Sequence, residues 1–178
     1  MKWQIDEQIT LESLSDAHAS AMFETIDRNR AYFKQWLPWV DGTQTVLDTR
    51  QFIAFTEKQF AVSGVINMAI LYNGQFAGTV GTHEISRENR STSIGYWLSP
   101  DFTGKGIMTK SVQHLCTYLF DKVHLHRIEI RAALGNAASR AIPERLGFTF
   151  EGTVRESEWL YDHFVSHAIY GLLEGERP

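Results

Sequence analysis

The sequence predicts an α/β domain of alternating strands and helices, and three observations carry that reading. Asn73-Gly74 sits between the apolar runs INMAILY and QFAGTVGTHEI, and a type I′ hairpin turn needs positive φ at both central positions, which these two residues accept. Met108, Val112, Leu115, Cys116 and Leu119 recur at the spacing of one helix face. HRIEIRA then alternates Ile128, Ile130 and Ala132 with charged residues, the period of a half-buried strand. With 178 residues and no repeat or linker composition, one domain spanning residues 1–178 is the expectation.

In chain order, residues 3–11 read as a strand. Ser15-Asp16 offers a helix start before residues 17–29, where Ala19, Ala21, Met22 and Ile26 form an apolar stripe, and a second helix is expected over residues 45–62. Between them AYFKQWLPWV crowds Phe33, Trp36 and Trp39 around Pro38. Aromatics serve packing more often than recognition, so a short helix plugging the core and a wall for a substrate are both open. After the hairpin, residues 91–98 alternate Ile94, Tyr96 and Leu98 against Ser93, Gly95 and Trp97. Pro100, which has no N–H to donate, ends that ladder.

The strand therefore stops beside Gly104-Lys105-Gly106, and a helix begins directly after it. Bare backbone there suits a tight turn or a phosphate, because unpaired N–H groups at a helix start converge on an anion. The strand-loop-helix-strand setting favours the phosphate. It is not a P-loop, since Lys105 is followed by Gly106 rather than Ser or Thr. Nor is it the dinucleotide fingerprint, which wants a third glycine where Met108 and Thr109 stand.

Composition narrows the partners. A net charge of −4 and a pI near 6.0 argue against a nucleic-acid footprint, and no apolar run approaches the ~20 residues of a membrane span. The N-terminus has no signal-peptide pattern, and a single cysteine, Cys116, excludes an internal disulfide, so a reducing cytoplasm is expected. Cys116 falls on the apolar helix face and reads as a buried thiol. His124 with His126, and His163 with His167, come without a carboxylate or thiolate set at ligand spacing, so no metal is expected. A homo-oligomer stays open.

SIGYWL, FTGKGIMT, the stretch N-x-x-S-x-x-I-P-E-R-L-G-F from Asn136 to Phe148, and the closing WLYDHFVSHAIYGLL together resemble the GCN5-related N-acetyltransferase superfamily over nearly the whole chain. Within it the chain is most similar to the bacterial ribosomal-protein N-terminal acetyltransferases of the Rim type. The resemblance implies a central, mostly antiparallel sheet flanked by helices, acetyl-CoA as co-substrate and an amine acceptor. It implies that Trp97, Leu98, Thr103, Gly104, Lys105, Gly106, Ile107, Met108, Asn136 and Ser139 hold the coenzyme, with Ser139 near its sulfur. It further implies a backbone N–H around residues 97–99, on a bulged strand, for the oxyanion. Asp101 departs from the Gln or Arg common at its position. Arg140, Arg145 and Lys105 are candidates for the phosphates.

Attack of a neutral amine on a thioester requires a proton acceptor, stabilisation of an oxyanion and a donor to the departing sulfur. The resemblance assigns the first role to Glu158 and the last to Ser139. Glu156 competes, because on a regular strand both carboxylates share a face. Asn136 is also a good helix N-cap on its own, and a Ser in a first turn commonly bonds locally. Pro143 leaves the carbonyl of Ser139 without its helical partner. Phe33, Trp36 and Trp39 are expected beside the acceptor. A protein N-terminal amine is favoured, with a polyamine or aminoglycoside as the alternative enzyme reading and a non-catalytic coenzyme-binding module as the alternative class.

Overall fold

The computed structural model describes residues 1–177. Eight strands form one sheet: β1 (Lys2–Gln4), β2 (Ile9–Ser13), β3 (Asn67–Tyr72), β4 (Gln75–Thr82), β5 (Ser91–Leu98), β6 (Arg127–Ala133), β7 (Thr149–Leu160) and β8 (His163–Leu173). Their spatial order is β1-β2-β3-β4-β5-β6-β8-β7. Every neighbouring pair is antiparallel except β5 and β6. The helices are α1 (Ala19–Arg28), α2 (Arg30–Phe33), α3 (Val46–Ser63), α4 (Ile107–Asp121) and α5 (Ala137–Arg145).

The expected first strand is in fact two. Asp6 accepts the N–H groups of Gln8 and Ile9, and this local turn folds β1 back onto β2. Ala21, expected in the stripe of α1, is exposed, and Thr25 joins Ala19, Met22 and Ile26 instead. The strand after the hairpin ends at Thr82, three residues short of the expected run. At the hairpin itself Asn73 has φ 49° and Gly74 φ 76°, the conformation a type I′ turn demands.

Two hydrophobic layers flank the sheet. On one face α4 buries Ile107, Met108, Val112, Leu115, Leu119 and Phe120 against Ile70, Val80, Ile94, Ile128 and Ile130. At about 1.5–3 kcal/mol per buried side chain, these six hold the helix, and hence its N-terminus, in a fixed place. On the other face α1 and α3 pack Ala19, Met22, Ile26 and Ile53 with Phe33 and Val40 over Ala69 and Phe76. No helix among the described residues is long and apolar enough to cross a membrane.

Candidate active site

The parallel pair at the centre of the sheet comes apart. β5 and β6 are in register only from Ser91↔Arg127 to Ile94↔Ile130; beyond that β5 stays with β4, through Gly78↔Leu98, and β6 stays with β8, through Ala133↔His167. Ser99 donates its N–H to Ala77 and Ser93 accepts from His83, so by alternation Gly95 and Trp97 point their backbone groups at β4. Tyr96 and Leu98 turn theirs toward the opening. The β4–β5 register is unbroken, which corrects the expectation of a bulged strand: the Leu98 N–H is released by strand separation.

The glycine loop ends this opening. Gly104 and Gly106 have φ 76° and 71°, and a Cβ at either would meet nothing within 4 Å. Positive φ and open space at both positions are what close backbone approach to a ligand requires. Gly106 is the N-cap of α4, with no side-chain cap and no acidic residue in the first turn. The first helical bond runs from the Lys110 N–H to the Gly106 carbonyl, leaving the amides of Ile107, Met108 and Thr109 without helical acceptors at the positive end of the dipole. Lys105 and Arg145 line the same cleft. Arg140 does not: it donates to the Tyr170 hydroxyl and the Leu134 carbonyl, tying α5 to the sheet. Asp101 is also outside the lining and faces Arg28 at 3.8 Å.

Across the cleft, α5 presents Asn136 and Ser139. Asn136 Oδ1 accepts the Ser139 N–H at 3.1 Å, the capping arrangement expected from sequence. Sequence reasoning did not find the group that meets the carbonyl stranded by Pro143. The Tyr96 hydroxyl donates to the Ser139 carbonyl at 2.9 Å, and Ser139 Oγ lies 3.5 Å from the same hydroxyl. Burial pushes the Tyr96 phenol well above its usual ionisation range, so it stays a donor.

The aromatic segment divides between both expected uses. Phe33 is 2% exposed and meets Trp97 edge-on at 5.1 Å, a core plug that also lines the cleft. Trp36 and Leu37 line the cleft. Trp39 is exposed and outside the lining, its ring 6.3 Å from that of Trp97. Tyr161, at the β7–β8 turn, donates to the Leu37 carbonyl at 2.7 Å and so pins this segment to the far hairpin.

Glu158 lies on β7, outside the cleft lining. The strand pairs with β8, after one shift between Phe150 and Gly152, as far as Val154↔His167 and resumes at Glu158↔Val165. In the interruption Glu156 adopts φ 48° and its N–H goes to the Ser166 hydroxyl. The expected shared face of Glu156 and Glu158 is thereby lost, because parity holds only along a regular strand. Glu156 is exposed, whereas Glu158 is half-buried with its Oε2 3.1 Å from His167 Nε2. His167 is the neighbour sequence reasoning passed over; its register opposite Ala133 is set by sheet pairing alone. Among the described residues no three His, Cys, Asp or Glu side chains gather as a metal site.

The cleft as a whole encloses about 600 Å³, a size typical of small-molecule sites. It runs from a cationic, amide-rich end at α4 to an aromatic wall, past opened strand backbone and the Ser139 hydroxyl. That sequence of surfaces fits a ligand with phosphates at one end and a slender polar arm. Residues 8–149 match the model of the acetyltransferase (GNAT) domain. The "Putative ribosomal N-acetyltransferase YdaF" of Bacillus subtilis is 35% identical over 176 residues, covering 97% of this chain and 95% of that protein. The ribosomal-protein-serine acetyltransferase of Escherichia coli is 24% identical over 96% of this chain and 95% of its own. The structure of RimL, a ribosomal L7/L12 alpha-N-protein acetyltransferase in complex with coenzyme A, superposes with a TM-score of 0.93 at 25% identity over 97% of this chain and 98% of that one. By the family match over residues 8–149 and the fold that places this cleft, the chain belongs to the GNAT family of acetyltransferases.

Proposed function

We propose that this domain moves the acetyl group of acetyl-CoA onto the α-amine of a protein N-terminus, by direct attack in a ternary complex in the cytoplasm. The observation that carries the reading is the unpaired N-terminus of α4 opening onto the parted ends of β5 and β6. The ribosomal-protein names of the relatives over almost the full chain support the acceptor class.

Acetyl-CoA, when bound, supplies the thioester. The amides of Ile107, Met108 and Thr109, with Lys105 and Arg145, bind its phosphates, and Asn136 and the backbone of Tyr96 and Leu98 orient the arm, the backbone groups of Trp97 being turned to β4. The Leu98 N–H, directed into the opening, stabilises negative charge developing on the carbonyl oxygen. Ser139 Oγ donates to the leaving sulfur. Glu158, held by His167, accepts the amine proton. An α-amine with a pKa near 7.7–8.0 is roughly a tenth or more neutral at pH 7, whereas a lysine near 10.4 is almost wholly charged, so a modest base suffices for N-termini.

A polyamine or aminoglycoside acceptor is the alternative enzyme reading. A thiol-release assay with acetyl-CoA decides the matter, comparing peptides with free Ser, Thr or Ala N-termini, α-blocked lysine peptides, spermidine and an aminoglycoside. The free N-termini should be fastest. A preference of about tenfold or more in kcat/KM for either small amine would overturn the protein acceptor. Coenzyme binding without thiol release on any amine would favour the binding-module reading.

A further inference from the structure

α5 is nine residues long and carries Pro143 inside it. A proline at that position removes the N–H that would otherwise bond the carbonyl four residues earlier, which is that of Ser139. Without that bond the first turn, capped by Asn136, is tied to the rest of the helix by one main-chain bond fewer, yet it carries the hydroxyl on which the proposed leaving-group contact depends. A second element compensates. Tyr96, from the opened end of β5 and 43 residues away, donates its phenolic proton to the Ser139 carbonyl at 2.9 Å. Its oxygen lies 3.5 Å from Ser139 Oγ, so one hydroxyl addresses both the main chain and the side chain of a single residue. Tyr96 lines the cleft and is half-buried by residue, with its hydroxyl against α5.

We propose that Tyr96 is a positioning residue for Ser139: its hydroxyl replaces the N–H that Pro143 lacks and thereby fixes Ser139 Oγ at a set distance from the opened backbone of β5. This rests on the role given to Ser139 above. The bond joins the two walls of the cleft, so spacing between the wall with free strand backbone and the wall with the hydroxyl depends on it. Tyr96 touches no reacting atom in this scheme.

The experiment is a set of variants assayed for thiol release with acetyl-CoA and a Ser-initiated peptide, and for the thermal shift given by CoA. Y96F keeps the ring and leaves the Ser139 carbonyl unpartnered; kcat should fall roughly tenfold, since small misplacements of a reacting group have effects of that order. The KM for acetyl-CoA and the CoA shift should stay within about twofold. In the S139A background the same Y96F change should alter kcat less than about twofold, the non-additivity of residues acting as one unit. P143A, by restoring an N–H at residue 143, should rescue Y96F to within about threefold of P143A alone.

Wild-type kcat in Y96F, or an equal loss with and without Ser139, would overturn the proposal. So would failure of P143A to rescue either the activity or, if Y96F does not fold, the fold. Wild-type kcat in S139A would instead sink the role of Ser139, while rescue of Y96F stability by P143A would still show the bond substitution.

Discussion

Replacing Gly106 by Val separates the two reasons for a glycine at the head of α4. The first is conformational: at φ 71° an L side chain costs about 1–2 kcal/mol, and a domain of this size loses about 2–4 °C of Tm per kcal/mol. The unliganded variant should therefore melt lower by about 2–8 °C. The second concerns space. A Cβ at Gly106 meets nothing within 4 Å, so the valine methyls enter the volume in front of the free amides of α4, where the phosphates are proposed to sit. For the parent, CoA at about a hundred times its Kd adds about 2.7 kcal/mol, a rise of roughly 5–11 °C. In G106V that rise should disappear. Gly74 is the matched control, with φ 76° and equally open surroundings at the tip of the β3–β4 hairpin, outside the cleft. G74V should show a similar loss of baseline stability and keep the full CoA shift. Differential scanning fluorimetry of the parent and both variants, with and without CoA, reads each of these values. If G106V retains the parent's shift, the loop is a turn and nothing more, and the placing of the phosphates at α4 is wrong.

Glu158→Gln should reduce kcat/KM on an N-terminal peptide most below about pH 8, with part of the loss recovered as rising pH deprotonates the α-amine unaided; a pH-independent loss would remove the carboxylate from the base role. Trp36→Ala should raise the peptide KM while leaving the CoA thermal shift in place, and an unchanged KM would take the aromatic wall out of acceptor binding. Cys116 is buried and its thiol is pushed up to about 12 from an ordinary value near 9. At pH 8 iodoacetamide should label it only after unfolding. Because the unfolded thiol ionises first as pH rises past 9, the folded chain then binds more protons, and stability should fall with pH more steeply in the parent than in Cys116→Ala. Labelling of the native protein at the rate of a free thiol would contradict the burial.

What the sequence by itself determined lies within short spans. Asn73-Gly74 specified its turn, the stripe from Met108 to Leu119 specified α4, and the glycines at 104 and 106 marked a backbone that must turn left-handed and stay bare. Asn136 announced its cap, and Pro143 announced a stranded carbonyl without saying what would meet it. Each is a local consequence of residue chemistry over one or two turns of chain. The resemblance to the acetyltransferases added the expected site residues, Ser139 and Glu158 among them, from motif positions.

Only the tertiary structure decided where β5 leaves β6 after Ile94↔Ile130, and so which backbone groups open into the cleft. It alone brought Tyr96 to the Ser139 carbonyl, seated His167 on Glu158 and sent Arg140 to Tyr170 instead of the cleft. It also removed two inferences that strand parity and resemblance had suggested, the common face of Glu156 and Glu158 and the bulge in β5. The reason is physical. Periodicity and turn chemistry are properties of neighbouring residues, whereas register slips and strand divergence are settled by the packing of whole elements, α4 and α5 on one face and α1 and α3 on the other, and no short stretch contains that balance.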